Sequence, residues 1–502
     1  MATVTLDGQP LATTEVVAVA REGAAVELGA EGHRRLLLAR GEVEAVLASG
    51  RAVYGINTGF GSLSRVRIPT DDLATLQRNL ILSTAAGVGD PLPDDVVRAM
   101  LLLLAASLCR GHSGVRPEVA GLLVDLLNSG VTPLVPASGS VGASGDLAPL
   151  AHLALVLLGE GEAMLSGERL SGAVALTRAG LVPIVLAEKE GLALINGTHL
   201  MAATGALAAY DAAILLESAE LAGAMSVEAL RGSHTPFDAR IHGLRRQPGQ
   251  IASAAHMRAL LAESEIAASH RTGDPRVQDP YTLRCIPQVL GAVRDTIAHC
   301  THVVEHELGA VTDNPLCFPD SEVLSGGNFH GQPVALALDI LAIAVAELAA
   351  FSERRTYLLL DDREIGPDRL PAFLARDPGL NSGYMVAQYT AAALVAENAV
   401  LADPAGVHSL PTCAGMEDFV SMGATAANKL RVVLRNAQRV VAIELLCATA
   451  GVEFRRPLQA GAGVERGVAA VRALVPPLVW DRVLQPEIEA VAVAVRAGSF
   501  AL

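Results

Sequence analysis

From Val334 to Leu360 the chain is apolar around most of a helix circumference, with Asp339 and Glu347 isolated charges as far as Phe351. A helix with no wet face must be covered, either inside a large core or between copies of the chain. Much of the sequence shares this texture. Hydrophobic residues make up 51% and aromatics only 3%, so the core is built from Ala, Leu and Val, which suits close helix-on-helix packing. The reading is a mostly α protein, a large helical bundle core with a smaller mixed N-terminal region. Its two parts are 1–190 and 191–502.

Along the chain, residues 1–30 read as short β-like pieces and turns such as Asp7-Gly8, and a helical texture follows from about Glu31 to Leu127. A helix is expected over Leu150–Leu158. The glycines at 159, 161, 167 and 172 mark a turn-rich stretch, 159–190, with room for a strand pair. From Gly191 the chain reads as almost wholly helical. The uncharged run Gly191–Tyr210 contains Asn196, Thr198 and His199, and so fits a buried helix with a polar start better than a membrane span.

The net charge of −15 argues against nucleic acid, which needs a basic footprint. Six cysteines without a Cys-x-x-Cys pair suggest reduced thiols and a cytoplasmic setting. No basic region followed by an apolar stretch opens the chain, so no signal peptide is expected.

Between the helices lies Ser138-Gly-Ser-Val-Gly-Ala-Ser-Gly-Asp-Leu-Ala-Pro149. Its glycines fit an ordinary turn, but the spacing is not Gly-x-Gly-x-x-Gly and no Gly-Lys-Ser/Thr follows, which argues against a phosphate cradle. Ala143-Ser144-Gly145 allows another chemistry. Gly145 has no Cβ, so its amide nitrogen can fold back toward a preceding carbonyl. Attack on the Ala143 carbonyl carbon closes a five-membered ring. Loss of one water there, and of the Ser144 hydroxyl as a second, leaves an exocyclic methylidene, an electrophile that no unmodified side chain provides.

With Val53-Tyr54-Gly55-Ile56-Asn57-Thr58-Gly59-Phe60-Gly61, Gly191–Thr198, Val277–Cys285, Ser325–Gly331 and Glu417–Met422 in order along the chain, the sequence resembles the aromatic amino acid ammonia-lyases that use 4-methylideneimidazol-5-one, histidine ammonia-lyases most closely. The resemblance covers nearly the whole length. It implies a fumarase/aspartase-like helical architecture and a homotetramer whose sites are shared between subunits. It also implies a prosthetic group made from Ala143, Ser144 and Gly145, with no metal.

The resemblance also assigns roles. Tyr54 takes the β-proton of the substrate. A phenol has an ordinary pKa near 10, so it needs positive surroundings or hydrogen bonds to act as a base at neutral pH. Arg284 grips the substrate carboxylate with its planar fork. Tyr281, three residues earlier, shares its face on a helical turn, and Gln278 adds a hydrogen bond one turn before that. Asn196 steadies the carbonyl oxygen of the electrophile and Asn328 the carboxylate, with a structural buried amide as the competing reading of each. Phe329 is aromatic by family position, or plain core.

For the substrate side chain, Glu417 and Met385 are of histidine type, since a carboxylate can accept a hydrogen bond from an imidazole. Ser83 and Thr84 are expected across the same pocket. Thr84 stands where histidine lyases carry histidine, and Pro411 to Met416 depart from their usual pattern. L-Histidine, giving urocanate and ammonia, is the leading substrate. The rivals are a 2,3-aminomutase, a lyase for phenylalanine, tyrosine or another bulky amino acid, and a non-catalytic helical assembly. His302-Val-Val-Glu-His306 matches a zinc-peptidase pattern, with a polar helix face as the ordinary reading.

Overall fold

The computed structural model describes residues 3–272, 274, 276–319, 322–361 and 369–501. The chain forms two compact units. The first comprises Met1–Tyr210, Thr301–Asp339 and Pro404–Asn428, and the second Asp211–Cys300, Ile340–Asp403 and Lys429–Leu502. Residues 1–190 thus lie wholly in the first unit, together with later stretches.

Helices dominate. Asp94–Cys109 is the central helix of the first unit, with every residue from Ala99 to Cys109 buried. Pro117–Ser129 opens on a proline, whose fixed φ and missing N–H suit the first helical position, and ends at Gly130 with a φ of 74°. The longest helices are His199–Ala229, Ile286–Leu308, Gln332–Leu360 and Gly423–Glu453. Two of these, His199–Ala229 and Gln332–Leu360, are long and apolar enough to cross a bilayer, but 83% and 67% of their most apolar windows are buried inside the protein. Gln332–Leu360 keeps one uncovered stripe, Leu336, Ile340 and Ile343, spaced four and three residues apart as one helix face requires.

Strands are short. The turn-rich stretch does hold a hairpin, Glu162–Leu165 paired antiparallel with Glu168–Ser171. Ser166 and Gly167 join the strands with φ of 52° and 82°, the left-handed pair that a tight two-residue hairpin uses. The expectation for residues 1–30 needs correction. Val4–Leu6 and Val26–Leu28 are strands, but they pair in parallel and are joined by a helix, Thr13–Arg21. That helix buries Val16, Val17, Val19 and Ala20, and the Glu15 carboxylate accepts a hydrogen bond from Ala12 N (2.8 Å) at its start. A short apolar run fits either strand or helix by pattern alone. The helix expected from Leu150 begins at Leu147, because Pro149 falls in its first turn, where an N–H is not needed.

In the second unit the fully buried Glu444 gathers Arg355 (Nε 2.5 Å, Nη2 2.7 Å), Ser226 (2.7 Å) and Ser352 (2.6 Å). A buried carboxylate survives only with such a full set of donors.

Candidate active site

Ser140 to Asp146 form a tight loop ahead of the helix Leu147–Leu157. Ser144 has a φ of 51°, between Gly142 at 75° and Gly145 at 80°, a region that side chains disfavour. Gly145 lies beside Gly197. Asp146 N donates to Gly197 O (2.7 Å), and Gly197 N donates to Ser144 O (3.2 Å). A Cβ on Gly145 would sit 2.1 Å from Gly197 O, so the approach requires glycine. Asp146 anchors the loop. Its buried carboxylate accepts from Leu200 N (2.9 Å) and Met201 N (3.1 Å) at the start of His199–Ala229. Burial pushes its pKa up to about 7, against the opposing pull of those backbone donors.

This loop opens on a cavity of about 810 Å³ in the first unit, lined by Tyr54, Thr84, Ala143, Ser144, Asn196, Phe329 and Glu417, with Phe60, Leu80, Leu192, Met416 and Phe419 as apolar wall. Seven of the residues singled out from sequence are thereby brought together, although they span more than three hundred positions. The Ser144 hydroxyl donates to Glu417 Oε1 (3.2 Å). Thr412 Oγ1 donates to Glu417 Oε2 (2.6 Å), and the two residues also pair through their backbones. The Tyr54 hydroxyl accepts from Gly61 N (3.4 Å). Its pKa is raised, chiefly by burial, against the opposing pull of the Gly61 N–H, with the Glu417 and Asp313 carboxylates adding to the rise. Of the two aids expected from sequence, positive surroundings or hydrogen bonds, the Gly61 N–H supplies the second and favours the ionised phenol.

Other residues stand elsewhere. Ser83 is exposed and donates back to Leu80 O (3.2 Å), so it does not share the cavity wall with Thr84, its neighbour at the end of the helix Leu73–Thr84. Asn328 is exposed and donates to Val311 O (3.3 Å). In the second unit Tyr281–Arg284 forms a single helical turn, with the Arg284 guanidinium 4.7 Å from the Tyr281 ring centroid and its Nε bonded to Asp279 O (2.9 Å). Gln278 is not on that turn, because Pro280 starts it. Tyr281 is 70% exposed, and Gln278 is exposed too. Met385 begins the helix Met385–Leu401. None of these six is among the residues lining the cavity. His302 and His306 do share a helix face, with Nε2 atoms 3.0 Å apart, but among the described residues no group of three or more potential metal ligands gathers.

Sequence reasoning missed Lys189 and Asp313, and gave no role to His330 within the Ser325–Gly331 motif. Lys189 Nζ donates to Asp313 Oδ2 (2.5 Å), and both are buried. His330 lines the cavity and stacks on Phe419. The charged triplet Glu188-Lys189-Glu190, set in an apolar stretch, was the available signal for Lys189.

A family model for aromatic amino acid lyases matches residues 11–473. The chain belongs to the aromatic amino acid lyase family. It is therefore a carbon–nitrogen lyase. It is 55% identical to a histidine ammonia-lyase of Anaeromyxobacter sp. (strain K), over 100% of both chains. It is 54% identical to one of Deinococcus radiodurans, over 94% of this lyase and 90% of that one. Among solved structures, histidine ammonia-lyase from Trypanosoma cruzi superposes with a TM-score of 0.92 at 42% identity, covering 99% of this chain and 94% of that one. Tyrosine aminomutase from Streptomyces globisporus gives 0.94 at 38% identity, covering 99% and 98%. The helical lyase fold expected from sequence is the one observed.

Proposed function

We propose that this lyase eliminates ammonia from L-histidine to give urocanate, using a 4-methylideneimidazol-5-one formed from Ala143, Ser144 and Gly145. The observation that carries the substrate is Glu417, a carboxylate in the cavity wall whose Oε1 accepts from the Ser144 hydroxyl. Identity of 54–55% to histidine ammonia-lyases over 94–100% of the chain supports it. The residues fit the prosthetic group. The left-handed turn at Ser144 and a glycine cradle that a Cβ would fill leave the loop curled on itself. Loss of the Ser144 hydroxyl removes the donor from Glu417 Oε1 and frees that oxygen for an imidazole N–H, while Thr412 keeps the other oxygen in place.

When formed, the group supplies an electrophile that captures the amine and makes ammonia a competent leaving group. Tyr54, in the same wall, takes the β-proton. Burial opposes its ionisation and the Gly61 N–H favours it, and the substrate nitrogen brings positive charge to the same wall. Arg284, Tyr281, Gln278, Asn328 and Met385 act in sites shared between subunits of a homotetramer. The exposure of Tyr281 and Gln278 supports this, as does the uncovered stripe Leu336, Ile340 and Ile343. Six free cysteines support a cytoplasmic setting.

A 2,3-aminomutase is the second reading, favoured by the likeness to tyrosine aminomutase and by Thr84, which lacks an imidazole. A panel of L-amino acids, scored by mass spectrometry for unsaturated acids and β-amino acids, separates the two. Urocanate from histidine is expected. A β-amino acid as main product, or turnover of neutral aromatics only, would overturn the proposal.

A further inference from the structure

Asn196 lines the cavity, and its orientation can be read from its neighbours. Its Nδ2 lies 3.2 Å from Asp313 Oδ1 and 3.1 Å from Asn314 O. Both partners are acceptors. Asp313 Oδ1 also accepts from Asn314 N (2.6 Å), and Oδ2 takes Lys189 Nζ at 2.5 Å. An amide nitrogen has two protons, so both are used. Turning the amide over would set its oxygen against two other oxygens in a buried place and forfeit both hydrogen bonds. What Asn196 offers the cavity is therefore Oδ1, to which no described residue donates.

An oxygen cannot donate to the carbonyl of an electrophile, the role expected from sequence. An α-amino acid brings one strong donor of its own, its ammonium. The geometry points to Asn196 Oδ1 as the acceptor for the substrate ammonium, with the buried Lys189–Asp313 pair as the positioning device that keeps the oxygen turned toward it. This rests on the amino acid reading of the cavity. It makes Lys189 and Asp313, neither of them in the cavity wall, determinants of substrate affinity.

The test compares two probes in a Ser144→Ala background, which stops turnover. L-Histidine carries the ammonium, and urocanate does not. Adding Asn196→Leu is expected to weaken L-histidine by roughly tenfold or more, the scale of a hydrogen bond to a charged group, and to leave urocanate unchanged by calorimetry. Lys189→Met with Asp313→Leu, which removes the charged pair together, is expected to give the same selective loss to a smaller degree. Equal weakening of both probes would overturn the assignment. If the Ser144→Ala parent binds neither probe, the histidine reading fails, and the orientation is decided without ligand. Asn196→Asp then sets two carboxylates together, so its melting temperature should fall as pH rises and recover on adding Asp313→Asn. No pH-dependent loss would overturn the inference.

Discussion

Gly145→Ala tests whether the glycine cradle is what shapes the electrophile loop. The new methyl would lie 2.1 Å from Gly197 O, 2.3 Å from Gly197 C and 2.8 Å from Gly197 Cα. All three are backbone atoms, which no rotamer change can move. The residue also holds a φ of 80°, which costs a side chain about 1–2 kcal/mol. Relief requires the two segments to part, losing the Asp146 N to Gly197 O and Gly197 N to Ser144 O bonds at about 1 kcal/mol each. The expected loss is about 3–4 kcal/mol, with no maturation of the tripeptide. Denaturant unfolding reports the first and peptide mass the second. Gly130→Ala has a similar φ of 74° but nothing within 4 Å of its Cβ, so it should show the φ cost alone. If Gly145→Ala unfolds like Gly130→Ala and still loses two waters, the close-approach argument is wrong.

Tyr54→Phe should lower kcat by orders of magnitude with little change in KM, because the lost interaction belongs to the transition state. Since burial raises the Tyr54 pKa, wild-type kcat should climb toward alkaline pH, and that slope should vanish in the variant. Glu417→Gln should sharply reduce histidine turnover, since a charge-assisted hydrogen bond is roughly twice as strong as a neutral one, and Thr84→His should raise it. Wild-type indifference to histidine, with Thr84→His impairing another substrate, would instead make Thr84 and Met416 the specificity determinants. Asp146→Asn addresses stability. Its folded pKa, raised by burial to about 7 from 3.8, means that the stability it contributes is fully present below about pH 4 and is lost as pH rises through 7. Thermal unfolding of the wild type should show this fall between pH 4 and 8, and the asparagine variant should not.

The sequence made the architecture legible wherever periodicity was long. Val334–Leu360 reads as a helix, and it lies within the helix Gln332–Leu360, buried over most of its apolar window but not along the stripe Leu336, Ile340 and Ile343. Short elements were not legible. Thr13–Arg21 buries Val16, Val17 and Val19, a spacing that a strand fits as well. Much of the cavity wall was readable because Tyr54, Ala143, Ser144, Asn196, Phe329 and Glu417 lie in distinctive motifs. Orientation was not. Nothing in the sequence says that Ser83 turns back to Leu80 O while Thr84 faces the cavity, or that Pro280 leaves Gln278 off the Arg284 turn. The Lys189–Asp313 pair spans 124 positions, and no local pattern announces a contact made by tertiary packing alone. For the same reason the donor side of Asn196 was invisible until its two acceptors were placed.

The most direct measurement is the mass of the peptide containing Ala143-Ser144-Gly145, taken from protein that turns over histidine. The account predicts that it lacks two waters relative to the translated sequence, and that Ser144→Ala abolishes both the full two-water loss and the activity while the fold remains. A peptide of unmodified mass in active enzyme would contradict the backbone-derived electrophile, and with it the mechanism built on this loop.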